Sequence, residues 1–470
     1  MMRRPPSCLP ALLAVALALS ACAPLPKAVP AQAEVSLPAQ WSETEAAAGT
    51  DAVAEGWWRQ WGDARLDALV AQALERNTDL LAAMARVDEA RANWAATDAG
   101  RSPSLNLAAG AQAGRSLGAF GSTHTRSVQP GLQASWELDL WGRLAQQSRA
   151  AEQRWQASRA DRDAVALAVA AATVQAYVGL CALQEQLAIT EATVRSRAQA
   201  LQLAQDQARV GYISQLQLTQ AEAEYQNVLQ QVEQLQWSLR RQQNALQVLV
   251  GEAGGGTAPP AGALAALRPA PVPRSLPSQL LERRPDIARA RHLLAATEAG
   301  MAAQRAAFLP QVSLSASVGS LLINALDYNP LTVWSLGGSL LAPLFNGGRL
   351  DAQYGAATAQ RDQAAYAYRG TVLAAFADVE NALTGTVRLA RQMEHAVQRR
   401  DVLERTLRFA HDRYEAGYAS YLEELDAQRN LYQAQLDVVR LRQSELENRV
   451  ALYKALGGGW SAPEEAQALK

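Results

Sequence analysis

The chain has 470 residues, room for about three ordinary domains, and carries 44 Lys plus Arg against 45 Asp plus Glu for a net charge of -1. That balance, with no basic tract, argues against a partner held by its nucleic-acid phosphates. Three cysteines and four histidines are too few for a disulfide scaffold or a zinc site, so no catalytic, metal or cofactor site is expected. His124 falls in a predicted loop, His292, His395 and His411 are scattered through helical segments, and Gly254 to Gly256 lacks the Lys-Ser/Thr of a phosphate loop. Outside the N-terminus no run of 18 or more apolar residues offers a helix that crosses a bilayer, which speaks against an inner-membrane transporter.

Arg3 and Arg4 precede an apolar stretch from Leu9 to Leu19, too short to span a membrane and flanked as a secretory signal is. Residues 1–21 read as that signal. The stretch closes on Leu19-Ser20-Ala21-Cys22, a sequence that resembles the lipobox of bacterial lipoproteins. It implies a mature N-terminus at Cys22 with covalent lipid, since several acyl chains anchor stably where one does not. Residues 22–62 read as the anchor and an extended segment. Cys181 then has no partner for a structural disulfide.

The remainder is one unit written twice. Gly211-Tyr212, Arg143-Leu144 and Gly251 recur 206 residues later as Gly417-Tyr418, Arg349-Leu350 and Gly457, while Asp79 and Pro103 recur 207 residues later as Asp286 and Pro310. Repeat 1 covers 63–251 and repeat 2 covers 277–457, joined by a Gly/Pro-rich segment, 252–276, and followed by a tail, 458–470. Each repeat opens with a helical segment, 63–100 in the first. A strand pair follows (about 103–140; 310–345), then a long helix (about 143–209; 349–413) and a shorter one (215–250; 421–456). In the second long helix Tyr368, Val372, Ala375, Val379, Ala382, Thr386, Leu389 and Met393 form a seam in steps of four and three. Glycines at 211 and 417 end the long helices, and Ser214-Gln-Leu-Gln217 and Ser420-Tyr-Leu-Glu423 read as capping boxes.

The strands, each about ten residues, alternate with period two. Val128, Leu132, Ala134, Trp136, Leu138 and Leu140 take one face against Gln129, Gln133, Ser135, Glu137 and Asp139. Val312, Leu314, Ala316 and Val318 oppose Gln311, Ser313, Ser315 and Ser317, and Trp334, Leu336, Leu340 and Leu344 oppose Ser335 and Ser339. Apolar faces of this length suit a membrane barrel, with Trp136, Trp141, Trp334 and Phe345 as interface aromatics. A soluble antiparallel sheet alternates in the same way. Four strands cannot close a barrel, so a membrane reading requires several chains.

In this order, Leu309-Pro310-Gln-Val-Ser-Leu314, Phe345-Asn-Gly-Gly348, Arg413-Tyr-Glu-Ala-Gly-Tyr418 and Tyr421-Leu-Glu-Glu-Leu-Asp-Ala-Gln428 resemble the outer-membrane efflux channel family, TolC- and OprM-like, in particular the lipoprotein branch serving resistance-nodulation-division pumps. The resemblance implies a mixed, mainly α fold: a homotrimer whose twelve-stranded transmembrane β-barrel continues into a twelve-helix periplasmic α-barrel. It also implies outer-membrane lipid around the barrel and two partners, a periplasmic adaptor and an inner-membrane pump. The channel itself is passive and not an enzyme, and drugs or other toxic small molecules are its expected cargo. A heavy-metal or protein-secretion channel is the alternative within the family, and a coiled-coil adaptor lipoprotein the alternative outside it.

The same resemblance puts constriction residues at Leu422, Asp426 and Arg429, and a coil-latching tyrosine at Tyr414. Ala419 stands where relatives carry a latching arginine, so any latch uses other partners. Glu423, Glu424 and Asp426 occupy positions that hold Gln217, Leu218 and Gln220 in repeat 1. Carboxylates facing a threefold axis select cations and repel one another; acids in a first helical turn also simply complement the helix dipole. The capping reading leads for Glu423, which stays a gate candidate, and the gate reading leads for Asp426.

Overall fold

The computed structural model describes residues 28–36, 38, 40–42, 53–118, 121–254, 262–268, 271–272, 280–324 and 330–460. The signal segment and Cys22 lie outside the described residues. The elements in chain order are α1 (Ala64–Arg76), α2 (Thr78–Ala99), β1 (Ser104–Gly118), β2 (Gly121–Leu138), α3 (Arg143–Arg209), α4 (Gln215–Leu249), α5 (Leu280–Arg283), α6 (Pro285–Ala306), β3 (Gln311–Ile323), β4 (Leu331–Leu341), α7 (Arg349–Glu415) and α8 (Tyr421–Ala455).

The helix expected over 63–100 is instead two. Asn77 adopts an extended conformation between α1 and α2, accepts from the backbone N–H groups of Asp79 and Leu80 through Oδ1, and donates from Nδ2 to the Leu249 carbonyl at 3.0 Å. A buried amide thus ends one helix and caps the next. The second repeat breaks at the corresponding place, between Arg283 and Pro285, where Arg284 binds Asp286 and Asp378 at 2.7 and 3.1 Å.

Residues of α1, α3, α4 and α8 share a core built on Trp57, Trp61, Leu66, Val70, Tyr177, Leu180, Leu246, Leu446 and Val450. The inter-repeat segment contributes Leu264 and Leu267 to it, so that segment is part of the packing as well as a connector. Tyr177 donates to Asp63 at 2.6 Å and accepts from the Gly262 N–H at 2.9 Å. Cys181 is a free, buried thiol that burial pushes up to about 12, which removes it from thiolate chemistry. A stretch of α3 is, by composition, apolar enough to cross a membrane, contrary to the sequence reading, but most of it is buried within the protein. Its apolarity serves this core. The seam on α7 is most deeply buried at Val372, Ala375, Val379 and Ala382.

The duplication repeats a close helix contact. Gln242 Nε2 donates to the Ala176 carbonyl at 2.8 Å beside Gly179, and Asn448 Nδ2 donates to the Ala382 carbonyl at 2.9 Å beside Gly385. A Cβ on either glycine would press on that amide.

The four strands form one antiparallel sheet in the order β1-β2-β3-β4, with strands of 11 to 18 residues where about ten were expected. Its register decides which side chains share a face. Leu107, Leu132, Val318 and Trp334 stand in one row, and Leu105, Ala134, Ala316 and Leu336 in another. The alternate rows hold Asn106, Gln133, Ser317 and Ser335, then Ser104, Ser135, Ser315 and Gly337. One sheet face is therefore apolar across all four strands, and its other face is largely hydroxyls and amides. Leu321, Ile323, Leu331, Val333 and Leu341 break the second pattern, Asp139 and Leu140 fall beyond the end of β2, where Asp139 accepts from the first N–H groups of α3, and Leu344 falls beyond the end of β4.

Gly385→Ala tests the glycine contact. Helix propensity alone favours alanine by about 1 kcal/mol; overpacking against Asn448 should reverse the sign and destabilise by about 1–3 kcal/mol. A lower thermal midpoint of the detergent-purified protein is expected, and a raised one would contradict the contact.

Candidate functional site

Two features stand out: the helical turns and the sheet. At the α3–α4 turn Gly211 has φ 75°, the Tyr212 N–H donates to the Gln207 carbonyl at 2.8 Å, and Ser214 and Gln217 complete a reciprocal capping box at 3.3 and 3.1 Å. The α7–α8 turn repeats the backbone, with Gly417 at φ 75° and the Tyr418 N–H on the Arg413 carbonyl at 2.8 Å. Its capping box does not form. Ser420 occupies the N-cap position, but its hydroxyl caps nothing. Glu423 instead meets the Arg413 guanidinium at 3.3 Å, a charged partner that outcompetes a neutral backbone N–H.

The acidic cluster of this turn divides by environment. Glu423 and Asp426 are exposed, and Asp426 accepts from the Asn430 amide at 3.1 Å. Leu422 is exposed beside them. Glu424 turns inward, its side chain 8% exposed, where it accepts from Gln428 at 3.0 Å. His411 lies between two carboxylates: Nδ1 is 3.0 Å from Glu424 and Nε2 is 3.3 Å from Glu415. A neutral imidazole has one donor and one acceptor, so only the imidazolium satisfies both contacts. The hydrogen bond to Glu424 accordingly raises the His411 pKa above its ordinary value, helped by the charges of Glu424, Glu415 and Asp412.

Beneath this bracket Tyr421 and Leu425 pack with Ala204 and Ala221, and Tyr414 lies at a tilted angle to Tyr421 with ring centroids 5.9 Å apart. Two arginines link the repeats. Arg197 of α3 is buried and donates to Gln428 of α8, and Arg429 of α8 pairs with Glu224 of α4. Burial holds the Arg197 guanidinium below the usual arginine range, whereas the bond to Glu224 raises Arg429. Arg429 is thus engaged across the repeats, and Tyr414 packs against Tyr421.

Sequence reasoning missed Arg197, Glu224 and the His411 bracket. A signal existed for Arg197: Thr190, Arg197 and Ala204 are heptad-spaced and all buried, so the seam of α3 runs through a cation. His124, read as a loop residue, lies in β2.

On the sheet, Trp136 belongs to the apolar face, with its indole N–H on the Arg101 carbonyl at 2.9 Å. Trp141 donates to the Pro310 carbonyl at 2.7 Å. Phe345 is exposed just past β4, so these three stand near the strand ends that join the helices. Trp334 is also exposed but stands in the row of Val318, four residues further along the strands than the row of Trp136 and Leu314.

Residues 69–252 and 276–458 match the outer membrane efflux protein family. The chain belongs to that family. It is similar to the pyoverdine export outer membrane protein OpmQ of Pseudomonas aeruginosa, 33% identical over 468 residues that cover 98% of both chains. It is also similar to the probable outer membrane lipoprotein SilC of Salmonella typhimurium, 32% identical over 407 residues, 86% of this chain and 88% of SilC. Among solved structures, that of CusC, whose Escherichia coli sequence is a cation efflux system protein, aligns with TM-score 0.82 at 31% identity over 93% of this chain and 99% of CusC. The apolar face of the sheet thus belongs to an outer-membrane channel subunit of the TolC type. Twelve strands from three chains close the barrel, and the channel is the exit duct of an efflux system.

The His411 bracket should be pH-dependent. Because its folded pKa is raised, its stabilisation is complete below the unfolded value of about 6.5 and is lost as pH rises through the folded value. Hydrogen exchange across 415–424, corrected for the intrinsic rate, should speed up as pH rises above about 6.5 in the wild type and stay flat in His411→Gln. The same profile in both would rule the bracket out.

Proposed function

We propose that three copies of this chain form a passive duct that carries small toxic molecules, drugs among them, out through the periplasm and the outer membrane. The observation that carries the reading is the register of the sheet, which lines up apolar residues of all four strands on one face and leaves, apart from a few aliphatic residues of β3 and β4, a face of serine, glutamine and asparagine for a wet lumen. No step of the transport needs a catalytic group, and the protein acts without enzymatic chemistry. Its energy comes from partners: a periplasmic adaptor and an inner-membrane pump of the resistance-nodulation-division type.

Cys22 carries lipid and holds the N-terminus at the outer membrane, beside a barrel whose periplasmic interface is marked by Trp136, Trp141 and Phe345, with Trp334 further out. Two pairs, Arg197–Gln428 and Arg429–Glu224, hold the helical hairpins together at the periplasmic turns, and His411–Glu424 closes the α7–α8 hairpin on itself. Asp426, exposed and without a cation partner among the described ion pairs, supplies the carboxylate that narrows the opening, and Leu422 the apolar collar beside it.

The cargo varies among relatives, pyoverdine for OpmQ and cations for CusC, and a lumen face of hydroxyls and amides does not choose between them. A deletion strain exposed to dyes, antibiotics, detergents and metal salts should be broadly sensitised and rescued by the gene. Sensitivity to a single metal salt would replace the drug assignment with a dedicated metal channel. For the gate, Asp426→Ala should raise the single-channel conductance of the closed state in planar bilayers, and an unchanged conductance would remove Asp426 from the constriction.

A further inference from the structure

Between Ser104 and Trp136 the sequence has no acidic residue, and its only basic side chains are Arg115, His124 and Arg126. The register puts all three on one face. Arg115 stands opposite His124 and Arg126 opposite Ala113, in the same alternate set as Leu105, Leu107, Val128 and Leu132. They therefore project from the lipid-facing side of the sheet, and all three are exposed. Arg115 Nη2 donates to the Ser122 hydroxyl at 3.1 Å. The backbone is pinned from the neighbouring strand: Asn324 accepts the Arg126 N–H at 2.7 Å and donates to the His124 carbonyl at 3.1 Å. Among the described residues, neither arginine pairs with a carboxylate.

Their height follows from the strand. The outward row from Leu138 to Val128 spans about 33 Å of strand, or about 25 Å across the membrane at a tilt of ~40°, the height of an outer-membrane apolar band. Arg126 lies two residues beyond Val128, with His124 and Arg115 two residues further. The cations thus begin where the hydrocarbon ends, at the strand ends remote from the helices. A cation costs about 2–4 kcal/mol on a lipid-facing site at mid-membrane but about 0–1 near the interface. With no carboxylate paired to them among the described residues, an anion of the membrane is the natural counterpart.

We propose that Arg115, His124 and Arg126 form a binding site for the phosphate groups of the phosphorylated glycolipid, lipid A, in the outer leaflet, one site per subunit. Guanidinium groups grip phosphate oxygens with paired, charge-assisted hydrogen bonds. The hairpin β1–β2 holds both arginines and the imidazole on one outward face, so a single headgroup can be held by more than one of them. The site rests on the reading of this face as lipid-facing.

The test uses the purified full-length trimer in neutral detergent, titrated with bisphosphorylated lipid A, its dephosphorylated form, phosphatidylglycerol and inorganic phosphate, with bound lipid read by native mass spectrometry. Bisphosphorylated lipid A should bind at least about tenfold more tightly than either other lipid, weaken as salt is raised, and resist competition by inorganic phosphate. The triple variant Arg115→Gln, His124→Gln, Arg126→Gln should lose that preference while remaining trimeric and conducting, and Arg115→Lys with Arg126→Lys, which keeps the charge but not the paired hydrogen bonds, should retain only part of it. Unchanged binding by the triple variant, equal binding of phosphatidylglycerol or dephosphorylated lipid, or full competition by phosphate would overturn the site and leave the channel standing. A wild-type chain that neither assembles nor conducts would remove the lipid-facing reading, and the site with it.

Discussion

A backbone polar group that meets hydrocarbon without a hydrogen-bond partner costs several kcal/mol. The sheet of this chain has two open edges, on β1 and β4, and one apolar face that belongs in a membrane. Those facts conflict in a single chain and are reconciled only by closure against further copies. The fold follows from that constraint. Strands long enough to cross a membrane must be supplied in fours by each subunit, and helices of 67 residues, about 100 Å each, carry the duct onward. The polar strand face then lines water, and the apolar face meets lipid with its aromatics and, at its far end, its cations.

The helical part shows which features of a duplicated unit are kept and which are released. Where helices must approach closely the two copies agree: a glycine on the long helix and an amide on the shorter one meet at the same place in each, Gly179 with Gln242 and Gly385 with Asn448. Both turns also keep the left-handed glycine that a reversal of direction requires. Past the turns the copies part. Repeat 1 keeps a neutral capping box, while repeat 2 gives up that cap for charges that bind Arg413, His411 and, in Arg429, the Glu224 of repeat 1. This asymmetry falls where the two hairpins are linked to one another, through Arg197–Gln428 and Arg429–Glu224.

Much of this was legible in the sequence. Period-two alternation in four segments, the 206-residue recurrence and the glycine-serine spacing at both turns are local signals, and the sheet and both left-handed turns follow them. What escaped depends on pairing between distant segments. Ser420 and Glu423 fit a capping box by spacing alone, and only the nearby Arg413 shows why the box fails to form. The break at Asn77 was invisible because its capping partners are local but its third bond is to Leu249. Arg197 drew no notice in the sequence, and its role depends on burial opposite Gln428, more than 200 residues away. His124 looked like part of a loop because its neighbours are small and polar, whereas the pairing with β1 extends the strand through it.

The most direct test of the account is lipid exposure along β2. In a background with Cys181 replaced by serine, single cysteines at each position from 128 to 138 would carry a spin label in reconstituted vesicles, with collision rates measured for oxygen and for a water-soluble nickel chelate. The account predicts strict alternation, with oxygen favoured at Val128, Leu132, Ala134, Trp136 and Leu138 and the chelate favoured at Gln129, Gln133, Ser135 and Glu137. Uniform access of the chelate to both sets would contradict a lipid-facing sheet.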